Sequence, residues 1–498
     1  MKRPLIIVVA VLAAAGLVAG LVAAAQTSDP IEERAAAPDV DLPAPPSPPD
    51  TTLSGRCRGV DVSPQDDLAS VVEQRPPGTT FCIGTGVHRL SRPVVPREGQ
   101  RLIGEPGAIL SGARPVREWT EGNPGQWVAE DQTQEVPRSG DGFPSLERPE
   151  AAFNEDVFVD DEALDRVLSR DRLTTGRFYF DYAADRIYIA EDPRGRKIEA
   201  AVLPLLIRGI EDDVVITGLV LEKAAGLGID ARGARGWTIS HNEVRLNHQI
   251  GVCSGSHSKV TDNFVHDQGQ MGLCGSGESL LVARNEIAYN NRAGYSTETG
   301  GCWDAAGGKW VFATGLVIRN NNVHDNGCHG LWTDLNSSGV VYRDNWVEDN
   351  AGTGIVHEIS YDAVVRDNVL SRNEEAGIYV ASSPNVLVRS NTVLRNGLGI
   401  IVHQQADRGT GTRGPHETRG VRVVNNTIVM TSGYTGLTQH GGNEEVLISH
   451  DNSFENNVYW TPHDGRFWRL GSERLTSGEW SKTGQDEGAL FDDGSVSG

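Results

Sequence analysis

The dominant pattern in this chain is a polar residue, nearly always asparagine, that recurs at intervals of about 22 residues. Each asparagine precedes a short run of β-branched, aromatic or aliphatic residues, and a second polar column follows four or five positions later. Short β-forming runs repeated at this interval predict a solenoid of stacked coils. Helical repeats are excluded, because no segment shows an extended apolar period of 3.6. The first column is Asn242, Asn263, Asn285, Asn321, Asn345, Asn368, Asn391, Asn426 and Asn457, and the second is Asn247, Asp267, Asn290, Asn326, Asn350, Asn373 and Asn396.

This ladder resembles the right-handed parallel β-helix of the pectate-lyase and polygalacturonase type, from roughly Leu203 to the C-terminus. The resemblance implies an all-β, single-stranded parallel β-helix and a secreted carbohydrate-active protein. Similar coils carry lyases, glycosidases, epimerases and phage adhesins, so the fold does not decide the activity. We interpret the asparagines as structural, because they tolerate left-handed turn geometry and, when stacked, hydrogen-bond along the column.

The chain before the coils has its own organisation. The first residues have a basic start, a long apolar run and an Ala-rich end, which predicts a secretory signal peptide. The same run is long enough to span a bilayer, so a membrane anchor stays an alternative. The caps and an inserted β subdomain are similar to those of secreted β-helix glycoside hydrolases. The predicted parts are a signal or anchor over 1–25, a Pro-rich extended linker over 26–52, an N-terminal cap and first coils over 53–112, the subdomain over 113–200, the coils over 201–460 and a C-terminal cap over 461–498.

The net charge and the cysteine content of the chain limit its partners and its compartment. A formal net charge of −22 argues against nucleic acid or an anionic membrane surface as partner. Six cysteines are typical of an exported chain, although free buried thiols stay an alternative for the middle pair. The pairs that sequence position favours are Cys57 with Cys82, Cys253 with Cys274 in neighbouring coils, and Cys302 with Cys328 around a long loop.

A glycine that begins one phrase in each coil sets a strand register. Alternate residues of a strand point to opposite faces, so the first and third positions after this glycine should face the core and the second and fourth should face outward. The phrases are GYSTE from Gly294, GLWTD from Gly330, GIVHE from Gly354, GIYVA from Gly377, GIIVH from Gly399 and GLTQH from Gly436. Their fourth positions hold Glu298, Asp334, Glu358, Ala381, His403 and His440.

Three of these residues form a predicted ladder of carboxylates. Two ionised acids on adjacent strands, ~4.8 Å apart, repel by roughly 3 to 4 kcal/mol at an effective dielectric near 20. A bound cation, a raised pKa of one acid or a nearby Lys or Arg would offset this repulsion. Alternatively, the side chains turn away from each other into water.

Our preferred hypothesis is a glycoside hydrolase that needs no cofactor and cleaves a polysaccharide. Asp334 and Glu358, with Glu298, would serve as acid and base or nucleophile, while Lys309 and His403 tune or bind. Neighbouring strands give carboxyl spacings near the retaining range, whereas Glu298 and Glu358 fall in the inverting range. His357 faces inward in this register and is expected to be a packed histidine.

Two alternatives stay open. In a polysaccharide lyase or C5-epimerase acting on a uronate glycan, Glu298, Asp334 and Glu358 would hold Ca²⁺, and Lys309 or an Arg would remove the C5 proton. A non-catalytic glycan-binding surface protein is the third class.

Long loops and aromatic residues mark the predicted groove. The coils that start at Gly294 and Gly399 are longer than their neighbours, and long loops on a rigid solenoid are the usual walls of a groove. A capped solenoid has no free sheet end, which favours a monomer. The predicted substrate-binding residues are Trp332, Tyr379, Trp303, Trp310 and His329.

Overall fold

A computed structural model describes residues 44–51, 57–138, 148–295, 302, 304–439, 445–463 and 465–492. The predicted signal or anchor, 1–25, and most of the linker lie outside the described residues. In the described part of the chain, no helix is long and apolar enough to cross a membrane. The Pro-rich residues 44–49 line a shallow cavity with Asn322, Trp346 and Val369 on the solenoid.

The described chain is a parallel β-helix with three columns of strands, which we call the front, side and back sheets. The front sheet contains Leu205–Arg208, Leu227–Ala231, Ile250–Ser254, Met271–Glu278, Ala306–Thr314, His329–Asp334, Ile355–Glu358, Ala376–Ala381, Leu398–Gln404, Thr435–Gln439, Trp468–Leu470 and the antiparallel Glu473–Leu475.

The side and back sheets complete each coil. The side sheet contains Val60–Val62, Thr80–Ile83, Arg101–Gly104, Val215–Thr217, Thr238–Ser240, Lys259–Thr261, Leu281–Ala283, Val317–Arg319, Ser338–Arg343, Tyr361–Arg366, Val386–Arg389, Arg422–Val424 and Ser453–Glu455. The back sheet contains Gly86–Arg89, Ala108–Ser111, Val220–Glu222, Glu243–Arg245, Phe264–His266, Glu286–Ala288, Asn322–His324, Trp346–Glu348, Val369–Ser371, Thr392–Leu394, Thr427–Val429, Val458–Trp460 and Leu490–Asp492.

A small β subdomain interrupts the solenoid, as the sequence predicts. It forms a four-stranded and a five-stranded sheet. Its elements are Ala113–Pro115, Thr120–Glu121, Trp127–Ala129, Val157–Val159, Glu162–Ala163, Asp165–Val167, Arg177–Asp181, Arg186–Ile189 and Ile198–Ala201, with 3-10 turns at Pro149–Ala152 and Arg170–Arg172. The remaining elements are the helices Leu68–Gln74, Glu445–Ser449 and Ser477–Lys482 and the hairpin Thr410–Gly411 with Gly414–Pro415.

The asparagine ladders stack inside the coils and hydrogen-bond from one coil to the next. Asn263 Nδ2 lies 2.9 Å from Asn285 Oδ1, and the same contact repeats along the column with distances of 2.9–3.0 Å. The structural interpretation of these residues is therefore confirmed. The second column contains one correction, since Gln268 rather than Asp267 continues the ladder to Asn290. Gln268 stands five residues after Asn263, as Asn290 stands after Asn285, and its Oε1 accepts a hydrogen bond from Asn247 Nδ2.

All three predicted disulfides are present. Cys57 is bonded to Cys82, Cys253 to Cys274 and Cys302 to Cys328, and the described residues contain no free cysteine. The Cα atoms of Cys253 and Cys274 are 4.4 Å apart, as expected for neighbouring strands.

The glycine register is correct in the central coils and wrong at two others. Before Gly330, the front strand is Ala306–Thr314, in which Gly308 pairs with Leu331, so Gly307 and not Gly294 begins that coil's phrase. In the coil after Gly399, Gly436 pairs with Ile401, so Thr438 rather than His440 stands beside His403. The first error follows from a long insertion, because that coil contains Gly294 as well as Gly307. In the second coil the register places Tyr434 opposite Gly399, so no glycine begins the phrase and Gly436 stands two residues later.

Candidate active site

Asp334 and Glu358 end adjacent strands of the front sheet. The preceding pair, Thr333 and His357, is in register, which puts the two acids side by side on the outward face. Thr333 and His357 point into the solenoid, where both are fully buried and 2.7 Å separates the threonine Oγ1 from His357 Nδ1. Burial lowers the pKa of His357 to about 3. The packed role expected for His357 agrees with this geometry.

Lys309 places a positive charge among the acids. Its Nζ lies 3.2 Å from Asp334 Oδ2 and 3.8 Å from Asp304 Oδ1. The ammonium also lies 3.5 Å from the centroid of the Trp332 ring, where a cation is attracted by the aromatic face. The Lys309 side chain is only 11% exposed, so these contacts are weakly screened by solvent.

Asp304 is a third carboxyl of the site, which sequence reasoning did not select. Gln270 Nε2 donates to its backbone oxygen and to Oδ2, at 2.9 and 3.0 Å. Burial raises the pKa of Asp304 from 3.8 to about 6; the positive charge of Lys309 opposes the rise and the negative charge of Asp334 adds to it. Asp304 therefore titrates close to neutral pH, as acid–base residues of enzymes often do.

Glu358 is held by the long loop that follows Leu398–Gln404. Gln405 Nε2 and Arg408 Nη2 both donate to its Oε1, at 3.0 and 2.8 Å. Burial is the largest influence on the pKa of Glu358 and raises it; Asp334's negative charge raises it further, while Arg408 opposes both. Gln405 and Arg408 were not predicted, because the sequence of a loop does not show which strand the loop contacts.

The same loop builds a wall beside the acids, as the sequence predicts for this long coil. Its hairpin reaches the corner after Asp334, where Asn336 Oδ1 accepts a hydrogen bond of 3.0 Å from the backbone N–H of Thr412. Tyr361 donates to the carbonyl oxygen of Gly414 at 2.7 Å. The contacts tie the loop to the two coils that carry the catalytic candidates.

Trp332 and His329 lie next to Lys309 on the outward face. The two rings meet edge to face with centroids 5.2 Å apart. His329 Nδ1 accepts a hydrogen bond of 2.9 Å from the backbone N–H of Thr353, so Nε2 carries the proton. Burial, with a smaller contribution from Lys309, lowers the pKa of His329 to about 3, which makes it a neutral donor at physiological pH.

Tyr379 and His403 lie farther along the same face. Their rings stack with centroids 5.6 Å apart, and His403 Nδ1 lies 2.7 Å from Thr438 Oγ1. In the register, Ala381 lies between Glu358 and His403. His403 is therefore two strands from the nearest acid, which suits a binding role better than the predicted catalytic one.

The remaining predicted site residues are Trp310, Glu298 and Trp303. Trp310, predicted to contact substrate from a loop, is fully buried in the solenoid core, where it pairs with the inward Thr333. That prediction is wrong, because the segment is a front strand whose third position after Gly307 points inward. Glu298 and Trp303 lie outside the described residues, so the predicted inverting pair and one aromatic contact stay predictions.

Calcium at the front face also stays a prediction, but protein cations already contact the acids there. Lys309 contacts Asp334, and Arg408 contacts Glu358. A nearby Lys or Arg is one of the three predicted ways to offset the repulsion between the carboxylates, and these two ion pairs provide it. The raised pKa of Glu358 is a second.

A separate group of acids lies where the subdomain meets the solenoid. Oxygens of Asp161, Glu199 and Glu222 come within 4.8 Å of one another, the one such group of three metal-ligand side chains among the described residues. Lys223, fully buried, contacts Asp161, Glu199 at 2.6 Å and Glu222 at 3.4 Å. Its ammonium occupies the centre of the group, which therefore serves as a buried ion-pair network.

Comparison with known proteins agrees with the fold. The family model described as the right-handed beta helix region matches residues 226–393 and 357–465. A solved structure of XylC with xylose superposes with a TM-score of 0.66 at 14% sequence identity, covering 86% of this chain and 82% of that chain. The A-module of a mannuronan C-5 epimerase from Azotobacter vinelandii has a TM-score of 0.47 at 14% identity, covering 81% and 90%. No curated protein sequence matches the chain significantly.

Proposed function

The chain is a right-handed parallel β-helix, and from that premise we propose that it is an extracellular glycoside hydrolase whose polysaccharide substrate lies along the front sheet. The observation that carries the proposal is that Asp334 lies beside two further carboxyls, Glu358 and Asp304, whose pKa values are raised by burial. A carboxyl with a raised pKa beside a second carboxyl is what acid-assisted cleavage of a glycosidic bond requires. The similarity to solved structures supports the fold only, so the proposal rests on this site.

In the proposed mechanism, Glu358 is the general acid. It donates its proton to the glycosidic oxygen as the bond to the anomeric carbon breaks. Asp334, whose carboxylate contacts Lys309, attacks the anomeric carbon from the other side of the sugar. Glu358, now ionised and contacted by Arg408, then takes a proton from the water that releases the sugar.

Binding contacts follow from the side chains around the acids. The neutral His329 and the ring of Tyr379 offer a hydrogen-bond donor and an apolar surface for a sugar. Trp332, 4% exposed, lies beneath Lys309 and supports the ammonium rather than presenting a free face.

Charge argues for hydrolysis over uronate elimination at this position. A lyase or epimerase must neutralise the carboxylate of the reacting uronate, whereas Lys309 and Arg408 here already contact acids of the protein. A uronate at the reacting position would also face Asp304, Asp334 and Glu358. A neutral sugar avoids this repulsion.

The test is an assay of the soluble chain from Thr51 onward on neutral and uronate-containing polysaccharides, with Ca²⁺ and with chelator. Release of reducing ends without new ultraviolet absorbance, lost by roughly 10² to 10⁴ in Glu358→Gln, supports the hydrolase. Glu98→Gln is the control, since this exposed acid of the N-terminal cap should leave turnover unchanged. Calcium-dependent absorbance of unsaturated products would replace the proposal by a lyase.

A further inference from the structure

A row of outward side chains runs from the acids toward the C-terminal cap. Successive strands place Trp332, Val356, Tyr379, Ile401, Gly436 and Arg469 in register on the front sheet. Beyond the acids this row is apolar, and Tyr379, Ile401 and Tyr434 belong to one cluster on the outside of the solenoid. Val356 and Ile401 are buried and Tyr379 is half-buried, so an extended chain that passes the acids would contact Tyr379 and then Arg469 in this row.

Two arginines end the row. Arg469 and Arg474 pair across an antiparallel turn and project from the same face. Their guanidinium carbons lie 5.0 and 4.8 Å from the centroid of the Tyr434 ring, and Arg469 Nη1 donates to the Tyr434 hydroxyl at 2.9 Å. The tyrosine holds both guanidinium groups side by side.

Neither guanidinium forms an ion pair with any residue in the described part of the chain. By contrast, Arg408 pairs with Glu358 and Arg466 pairs with Glu479. Backbone carbonyls accept one hydrogen bond from each of the two arginines, those of Gly471 and Gly433. Each guanidinium has five N–H donors, so most of them stay available for a ligand.

We propose that Arg469 and Arg474 bind the carboxylate of a uronic acid residue in the glycan that occupies the front sheet. Arginine is the side chain best suited to planar, bidentate recognition of carboxylates. The position is four strand spacings from Glu358, ~19 Å, which is several sugar residues along the substrate.

This inference rests on the proposed function and deepens it. A neutral sugar would lie at the three carboxyls, and an acidic sugar would lie at the arginines. The substrate is then a polysaccharide that contains both neutral sugars and uronic acid. The front sheet would bind the two kinds of sugar at two separate places.

Binding can be measured without turnover in the Glu358→Gln protein. The probes are polygalacturonate and alginate, each compared with its carboxyl-reduced counterpart by affinity electrophoresis. We expect at least one uronate polymer to bind tighter than its reduced form by tenfold or more. Added salt should weaken that binding, because exposed charge contacts are screened.

Variants then assign the effect to the two arginines. Arg474→Gln and Arg469→Gln should each weaken uronate binding by about tenfold, whereas Arg469→Lys should retain part of it. Arg422→Gln, an exposed arginine of the side sheet that pairs with Glu455, is the matched control and should bind like the parent protein. A thermal unfolding curve of each variant shows that it is folded.

The outcomes separate this inference from the proposed function. Equal binding of both uronate polymers and their reduced forms, or an equal loss of binding in the Arg422→Gln control, would overturn the inference. Arginine-dependent uronate binding by a protein that shows no hydrolysis would keep this site and refute the hydrolase. Hydrolysis by a protein whose uronate binding is unchanged by both arginine substitutions would keep the hydrolase and refute this site.

Discussion

Nζ of Lys309 lies 3.2 Å from Oδ2 of Asp334, so the residue at the centre of the acid group has a cation in direct contact. The same ammonium is 3.8 Å from Asp304. One lysine thus serves two carboxyls, and it cannot fully compensate both. Burial raises the pKa of Asp304, and the shared lysine opposes only part of that rise.

The first prediction concerns the stability of Asp304→Asn. A carboxyl whose pKa rises from 3.8 to about 6 on folding binds its proton more tightly in the folded state, so stability falls as pH rises through this window. The shift corresponds to as much as roughly 3 kcal/mol. Asp304→Asn should therefore unfold at a higher temperature than wild type at pH 7.5.

The gain should shrink at pH 4.5, where Asp304 is largely protonated. Differential scanning calorimetry at the two pH values measures the difference. The exposed Glu98, replaced by glutamine, is the control, with no gain in stability expected at either pH. An Asp304→Asn protein that is equally or less stable at pH 7.5 would contradict the burial assigned to this carboxyl.

The second prediction concerns Arg408→Met and the pH dependence of turnover. Arg408 opposes the rise in the pKa of Glu358, so its removal raises that pKa further. Because the general acid must be protonated, activity is lost as pH rises through its pKa. The alkaline limb of the kcat/KM profile should therefore move to higher pH in Arg408→Met.

Arg419→Met is the control on the same loop, because this arginine pairs with Glu417 rather than with the site. Its pH profile should coincide with that of wild type. An alkaline limb that stays fixed, or that moves to lower pH, in Arg408→Met would show that Glu358 is not the acid.

The fold and part of the site could be read from the sequence because repeats set a register. The asparagines fix where each coil turns, and counting four positions from Gly330 and Gly354 gives Asp334 and Glu358. In the longer coil the count started at Gly294, while the structure uses Gly307. Counted from Gly307, the same rule gives Lys309 outward and Trp310 inward, as observed.

Residues in insertions could not be predicted this way. Asp304, Gln405 and Arg408 belong to segments whose length differs from that of the neighbouring coils, so no repeat assigns them a position. Their place depends on tertiary contacts, namely Gln270 with Asp304 and the hairpin with Asn336. The repeat thus predicts the site residues that lie on the strands. The insertions supply the residues that contact them.

The third prediction concerns the disulfide between Cys302 and Cys328. Cys302 precedes Asp304 by two residues and ties this insertion to the next coil. Replacing both cysteines by serine should cost ~2 to 4 kcal/mol of stability and lower kcat at temperatures where the protein stays folded. The cause is the loss of a fixed position for Asp304.

Cys57→Ser with Cys82→Ser is the matched control at the N-terminal cap. It should lower the melting temperature by a similar amount and leave kcat unchanged below the transition. Equal kcat in both double variants would mean that the bridge at Cys302 is a stabilising element only.

The last prediction is the stereochemistry of the product. Asp334 and Glu358 end neighbouring strands, and the ~4.8 Å between such strands is close to the roughly 5 Å carboxyl spacing of retaining enzymes. Proton NMR of the first product formed should therefore show the anomeric configuration of the substrate. An inverted product would require a wider pair with room for a water molecule. Asp304 and Glu358 would then be the candidate reacting acids, and Asp304→Asn would abolish turnover.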